Sequence, residues 1–166
     1  TNSFHQRRMI VLGIDPGFER LDIAVLQKEK GSKEILIYSN CFKTKKEDLF
    51  STRLAQIGRE VENVLETYKP DMLSIETLFL STNKKTGMHV AEARGVVVYE
   101  CAKRNMTICE YTPLQVKTAI TGYGKSDKKQ VMFMIPKILK IPDTITSDDE
   151  LDAIGIAVTA VAYNKL

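Results

Sequence analysis

A chain of 166 residues, 43% hydrophobic and 27% charged, has the composition of an ordinary globular protein, which excludes wholesale disorder. That length suits one domain with a real core. A net charge of +3 says little about nucleic acid, and no apolar stretch approaches the roughly 20 residues of a membrane span.

Thr1 to Arg8 are polar and lack the apolar centre of a signal peptide. Met9 stands directly before the first strand pattern, so residues 1–8 read as a disordered extension, native or appended, outside a single domain over 9–166. Met9 to Ile14 is continuously apolar, the pattern of a strand buried on both faces. Leu21 to Leu26 and Glu34 to Tyr38 give two more strands, and their short connections predict an antiparallel meander. The period then changes. Leu49, Leu54, Ile57, Val61, Val64, Leu65 and Tyr68 follow helical spacing, and Lys69-Pro70 stops that helix. Met72 to Glu76 is a fourth strand, Lys85 to Lys103 a helix, and Met106 to Glu110 a fifth strand. A short helix starts at Pro113 and ends at Gly122-Tyr123-Gly124. Ser126 is the expected N-cap of the next helix, which Pro136 should end or kink. The last helix starts near Ser147 and buries Leu151, Ile154, Val158 and Val161. The fold class is therefore α/β, a five-stranded mixed sheet flanked by helices.

Four acidic residues stand where folds place reactive groups. Asp15 closes the first strand in the turn Gly13-Ile14-Asp15-Pro16-Gly17, and Glu76 closes the run Met72 to Ile75. A carboxylate at the end of a buried strand is costly without a partner. Asp149 and Asp152, three apart, share one face of the last helix. Asp148 with Asp152 is the alternative pair, and acids at a helix start also suit its dipole. Converging carboxylates repel unless hard cations compensate, and Mg²⁺ takes oxygen ligands completed by substrate phosphate. The pattern suggests a nuclease. Cys41, Cys101 and Cys109 lack metal spacing and read as three half-buried thiols in a reducing cytosol. Basic residues crowd into Lys84-Lys85, Lys117, Lys125, Lys128-Lys129, Lys137 and Lys140.

From Met9 almost to the C-terminus the chain resembles the RuvC family of Holliday-junction resolvases, within the RNase H-like superfamily. The resemblance rests on an ordered set of motifs. These are Gly13 to Gly17; Lys69-Pro70-Asp71 with Ile75-Glu76; Phe79; Asn83; Ala93-Arg94-Gly95; Gln115-Val116-Lys117; Gly122 to Lys125 with Asp127 to Val131; and Asp149 to Ala153. Any one is weak, and the ordered set is strong.

The resemblance implies an RNase H-like fold and a crossover junction endodeoxyribonuclease that makes paired, symmetric nicks in four-way DNA junctions during recombination and repair. Asp15, Glu76, Asp149 and Asp152 would hold two Mg²⁺ ions, with Mn²⁺ as a substitute. Lys117 and Lys128 match lysines near the scissile phosphate. Phe79 matches an exposed ring that wedges at the junction centre, although in isolation it would be called core. Asn83, Lys84, Lys85, Arg94 and Lys129 would contact DNA, Arg94 being equally a structural residue near a dimer contact. The family further implies a homodimer, formed here through Met88, Ala91, Val96 and Val98 of the middle helix, a cytoplasmic location without a membrane, and RuvA and RuvB as branch-migration partners. Two alternatives remain: a junction-binding protein with weak catalysis, and an RNase H-like nuclease with another substrate. Several positions depart from the family. Asp22 stands in place of Gly and reads first as an outward-facing strand residue, Thr82 replaces a basic residue, Ala160 a His, and Pro136 interrupts a helix.

Overall fold

A computed structural model describes residues 8–78, 84–139, 141, 142, 145 and 148–164. β1 (Arg8–Asp15), β2 (Arg20–Glu29) and β3 (Ile35–Lys43) form the antiparallel meander. α1 (Phe50–Tyr68) leads to β4 (Met72–Glu76), and α2 (Lys84–Ala102) leads to β5 (Thr107–Tyr111). α3 (Pro113–Thr121), α4 (Lys128–Ile138) and α5 (Asp148–Tyr163) complete the chain. The sheet order is β3-β2-β1-β4-β5, with β4 parallel to both β1 and β5.

The period-two alternation of the strands divides the molecule into two cores. Ile10, Leu12 and Ile14 of β1 point to one face with Leu21, Ile23 and Val25 of β2, against α1 and α2. Met9 and Val11 point to the other face with Ala24 and Leu26, against α5. α1 stops because Lys69 turns into the left-handed region at φ 48°, and its N–H bonds the Leu65 carbonyl.

One expectation at a helix end is corrected and a second is narrowed. The N-cap of α4 is Asp127, not Ser126: its carboxylate accepts from the Gln130 N–H at 2.8 Å, and the Gln130 side chain returns the bond to the Asp127 N–H. Ser126 is buried and donates to the Tyr123 carbonyl at 2.6 Å, so its hydroxyl is committed to the preceding loop. Of the two outcomes expected at Pro136, an end or a kink, the helix does not end there but runs two residues further to Ile138. In the last turn the missing N–H forfeits only one helical bond. Ser147, the expected start of the last helix, lies outside the described residues, and α5 is described from Asp148. Within it Ile154, Val158 and Val161 are buried, and Leu151 is half-buried. Of the cysteines, Cys41 and Cys109 are half-buried while Cys101 is fully buried, and all three are free thiols. Among the described residues no helix is long and apolar enough to cross a membrane.

Candidate active site

The parallel ladder between β1 and β4 pairs Val11 with Met72 and ends at Ile14 with Ile75. Asp15 and Glu76 follow one residue later on adjacent strands, so their carboxylates leave the sheet at the same level. Alternation sends both to the α5 face, together with Gly13 and Ser74. These two small residues seat the helix. A methyl group on Gly13 would lie 2.5 Å from the Ala153 carbonyl oxygen, so the α5 backbone rests directly on β1. The Ser74 hydroxyl donates to the Ile156 carbonyl at 2.6 Å and ties β4 to the same helix. One turn earlier, α5 delivers Asp152 to the strand ends.

Asp15, Glu76 and Asp152 line one cleft with Lys117 of α3 and Lys128 of α4. α3 is held by a capping box, Thr112 accepting from the Gln115 N–H and the Gln115 side chain accepting from the Thr112 N–H. Gly124 allows the following loop to fold against α3, since a Cβ there would meet Leu114 and Thr118 at 2.9 Å.

The electrostatics are those of an acidic centre short of positive charge. Burial pushes the Asp15 carboxyl up to about 7, and the charges of Glu76, Asp152 and Asp22 add to the shift against Arg20. Burial also raises Glu76, reinforced by Asp152 and opposed by Lys117. Asp152 is raised by burial but moderated by Lys128, whose Nζ stands 3.1 Å from its Oδ2. Three carboxylates from three elements, each disfavoured as an anion, form an all-oxygen donor set that fits hard divalent cations. Glu76 and Asp15 on the strands supply a fixed base, and Asp152 closes it from the helix.

Asp149 does not line this cleft. Its Oδ2 accepts from Arg20 Nη1 at 2.8 Å, and it lies beside Asp22 and Cys41. Asp148, the alternative ligand, is exposed near Lys128. Asp22 corrects the expectation of an outward-facing residue. It is 3% exposed, and its Oδ1 has no hydrogen-bond partner. The cause is register: Asp22 pairs with Asp15 across β1 and β2, and directly paired residues share a face. On the third strand Cys41 pairs with Asp22 in turn. Burial and the Asp22 carboxylate push the Cys41 thiol up to about 11, and the thiol donates to Asp22. Sequence reasoning passed over Arg20 and read Cys41 only as a half-buried thiol without metal spacing. The available signal was the lone acid inside the apolar run Leu21 to Leu26.

Phe79 and Asn83 lie outside the described residues, as does Thr82. Lys84 and Lys85 are exposed in the first turn of α2, and Lys129 is exposed beside Lys128. Arg94 is engaged within the chain, its Nη2 standing 2.6 Å from Glu110 Oε2. On α2, Met88 and Ala91 are exposed, whereas Val96 and Val98 pack against the core.

Known proteins resemble this chain over most of its length. The family model for the crossover junction endodeoxyribonuclease RuvC matches residues 11–160. A crossover junction endodeoxyribonuclease RuvC from Petrotoga mobilis is 43% identical over 149 residues, covering 90% of this chain and 91% of the relative. One from Caldicellulosiruptor saccharolyticus is 39% identical, covering 90% of each. Among solved structures, T. thermophilus RuvC in complex with a Holliday junction substrate aligns with a TM-score of 0.86 and 29% identity, over 93% of this chain and 94% of that one.

Proposed function

The chain belongs to the RuvC family of crossover junction endodeoxyribonucleases, with their RNase H-like fold, and we propose that it resolves four-way DNA junctions by metal-dependent phosphodiester hydrolysis. The observation that carries this reading is the convergence of Asp15, Glu76 and Asp152 with Lys117 and Lys128 in one cleft. Binding a basic DNA-facing surface needs no such cluster. Buried acids that repel one another would weaken a protein that merely held phosphates.

Asp15, Glu76 and Asp152 would hold two Mg²⁺ ions, with Asp149 turning in from α5 as the fourth ligand and Mn²⁺ as a substitute. Such a metal pair supplies an activated water and charge stabilisation for the leaving 3′-oxygen. Asp15 sits between Glu76 on one side and α5 on the other, so it is the acid placed to serve both positions. Lys117, half-buried at the cleft wall, offers its ammonium to the scissile phosphate as negative charge develops. Lys128 plays two parts: it holds Asp152 in position, and it turns to phosphate once that carboxylate is otherwise neutralised. Lys84, Lys85 and Lys129 are exposed cations suited to backbone contacts along the arms.

A junction of near two-fold symmetry is cut symmetrically by two identical sites, which calls for a homodimer. The exposed side of α2, with Met88 and Tyr99, offers an apolar surface for it. RuvA and RuvB are the branch-migration partners expected with such an enzyme in the cytoplasm.

The test is a synthetic mobile four-way junction incubated with Mg²⁺ and with chelator, mapping both cut positions. Paired, symmetric, ligatable nicks that need the metal and vanish in Asp15→Asn are expected, with junction binding retained. Tight binding without cuts in any sequence tested would replace this reading with that of a junction binder.

A further inference from the structure

Beside the catalytic cleft lies a second group of donors with a different chemistry. Asp22 of β2, Cys41 of β3 and Asp149 of α5 bring one ligand atom each to within 4.8 Å of one another. They come from three elements: the β2–β3 ladder pairs Asp22 with Cys41, and α5 packs across both strands. Asp22 is the unusual member. It is 3% exposed, and its Oδ1 is buried without a hydrogen-bond partner, although a carboxylate oxygen in that setting is expensive to leave unsatisfied.

We propose that Asp22, Cys41 and Asp149 form a separate site for a thiophilic divalent cation of the Zn²⁺ class. Two features carry the proposal: the orphaned oxygen at a buried position, and a thiol between two carboxylates. Mg²⁺ ignores sulfur, whereas a mixed sulfur and oxygen set suits borderline-soft ions. Three protein ligands with a fourth position left to water is an ordinary arrangement for Zn²⁺. The sulfur–metal bond forms as the thiol proton leaves to solvent. Arg20 holds Asp149 at 2.8 Å in the absence of the ion. Its side chain is 54% exposed, so it can swing into water when a cation takes its place.

The site has a regulatory consequence. Asp149 serves both centres, and a cation that fixes it beside Asp22 withholds it from the cleft. Zn²⁺ therefore inhibits cleavage in Mg²⁺. This consequence rests on the proposed function; the binding itself does not.

The experiment is a titration of chelator-treated protein with Co²⁺, read by its sulfur-to-metal charge-transfer absorbance, followed by displacement with Zn²⁺. One equivalent of Co²⁺ per chain should produce the band, and Zn²⁺ should abolish it. Cys41→Ser should remove the band, Asp22→Asn should weaken binding about tenfold or more, and Glu76→Gln and Cys109→Ser should retain it. Absence of the band in the native protein, or its survival in Cys41→Ser, would overturn the proposal. Should Cys41→Ser fail to fold, the native protein still decides: Zn²⁺ must protect Cys41 from alkylation, mapped by peptide mass, and equal labelling with and without Zn²⁺ overturns the site. A protein that shows the band yet cuts no junction overturns the functional reading while this site stands.

Discussion

Asp15 carries the clearest physical signature of the site. Its carboxyl ionises near its ordinary value in the unfolded chain and at about 7 in the folded one. As pH rises from that ordinary value towards 7, the unfolded state gives up its proton first, so this group's contribution to stability falls across the window and stays low above it. Asp15→Asn removes the penalty. The metal-free variant should be more stable than the native protein at about pH 8 by about 1–3 kcal/mol, and the gap should close towards about pH 4. Thermal melts in chelator across that range decide it; a variant less stable at the alkaline end would show that Asp15 is not held against its charge. Asp15 and Glu76 were legible in the sequence because a strand that ends on an acid after an apolar run has few structural excuses. Asp22 was harder. Its burial depends on which face β2 turns inward next to β1, and that register is a tertiary fact. Its place opposite Asp15 emerges only once the two strands are known to pair residue for residue. Asp149 was legible as a helix-start acid, but its partner Arg20 lies 129 residues away in sequence, beyond any local pattern.

Among the elements, β1 and α5 set the geometry by contact at Gly13. A side chain there meets both the Ala153 carbonyl at 2.5 Å and the Ala157 methyl at 2.6 Å, and backbone cannot step aside as a flexible side chain can. Gly13→Ala should cost about 1–3 kcal/mol of stability through overpacking. It should also slow cleavage about 10²-fold, because the displaced helix carries Asp152. Melting and single-turnover cleavage measured on the same sample check both; full activity would mean that the acids tolerate a shifted helix. Most elements could be read from period and punctuation, since strands here alternate between two apolar cores and helices stop at Lys69-Pro70 and Gly122. The ends of α4 could not. Ser126 and Asp127 are both good caps, and the choice fell to Asp127 because the preceding loop had already engaged the Ser126 hydroxyl. Pro136 is a strong breaker in a helix interior, and its tolerance follows from how near the end it sits.

The molecule as a whole joins two unequal halves at the cleft. Asp15 and Glu76 stand on central strands covered on both faces, while Lys117 and Lys128 come from short helices at the edge. α4 contributes little to the core: Phe133 is 66% exposed, and Ile135 is its one buried residue in the helix. The parallel ladder of β1 and β4 therefore acts as a ruler, spacing two of the acids by backbone hydrogen bonds rather than by side-chain fit. Such ladders are among the last parts of a protein to open, and peripheral helices among the first. Amide exchange should be slowest at Val11 to Ile14 and Leu73 to Ile75, and faster by orders of magnitude across Lys128 to Met134; equal protection in the two regions would refute the division. A catalyst built this way keeps its anvil still while its hammer breathes, and substrate can seat itself on the mobile side without disturbing the calibrated one.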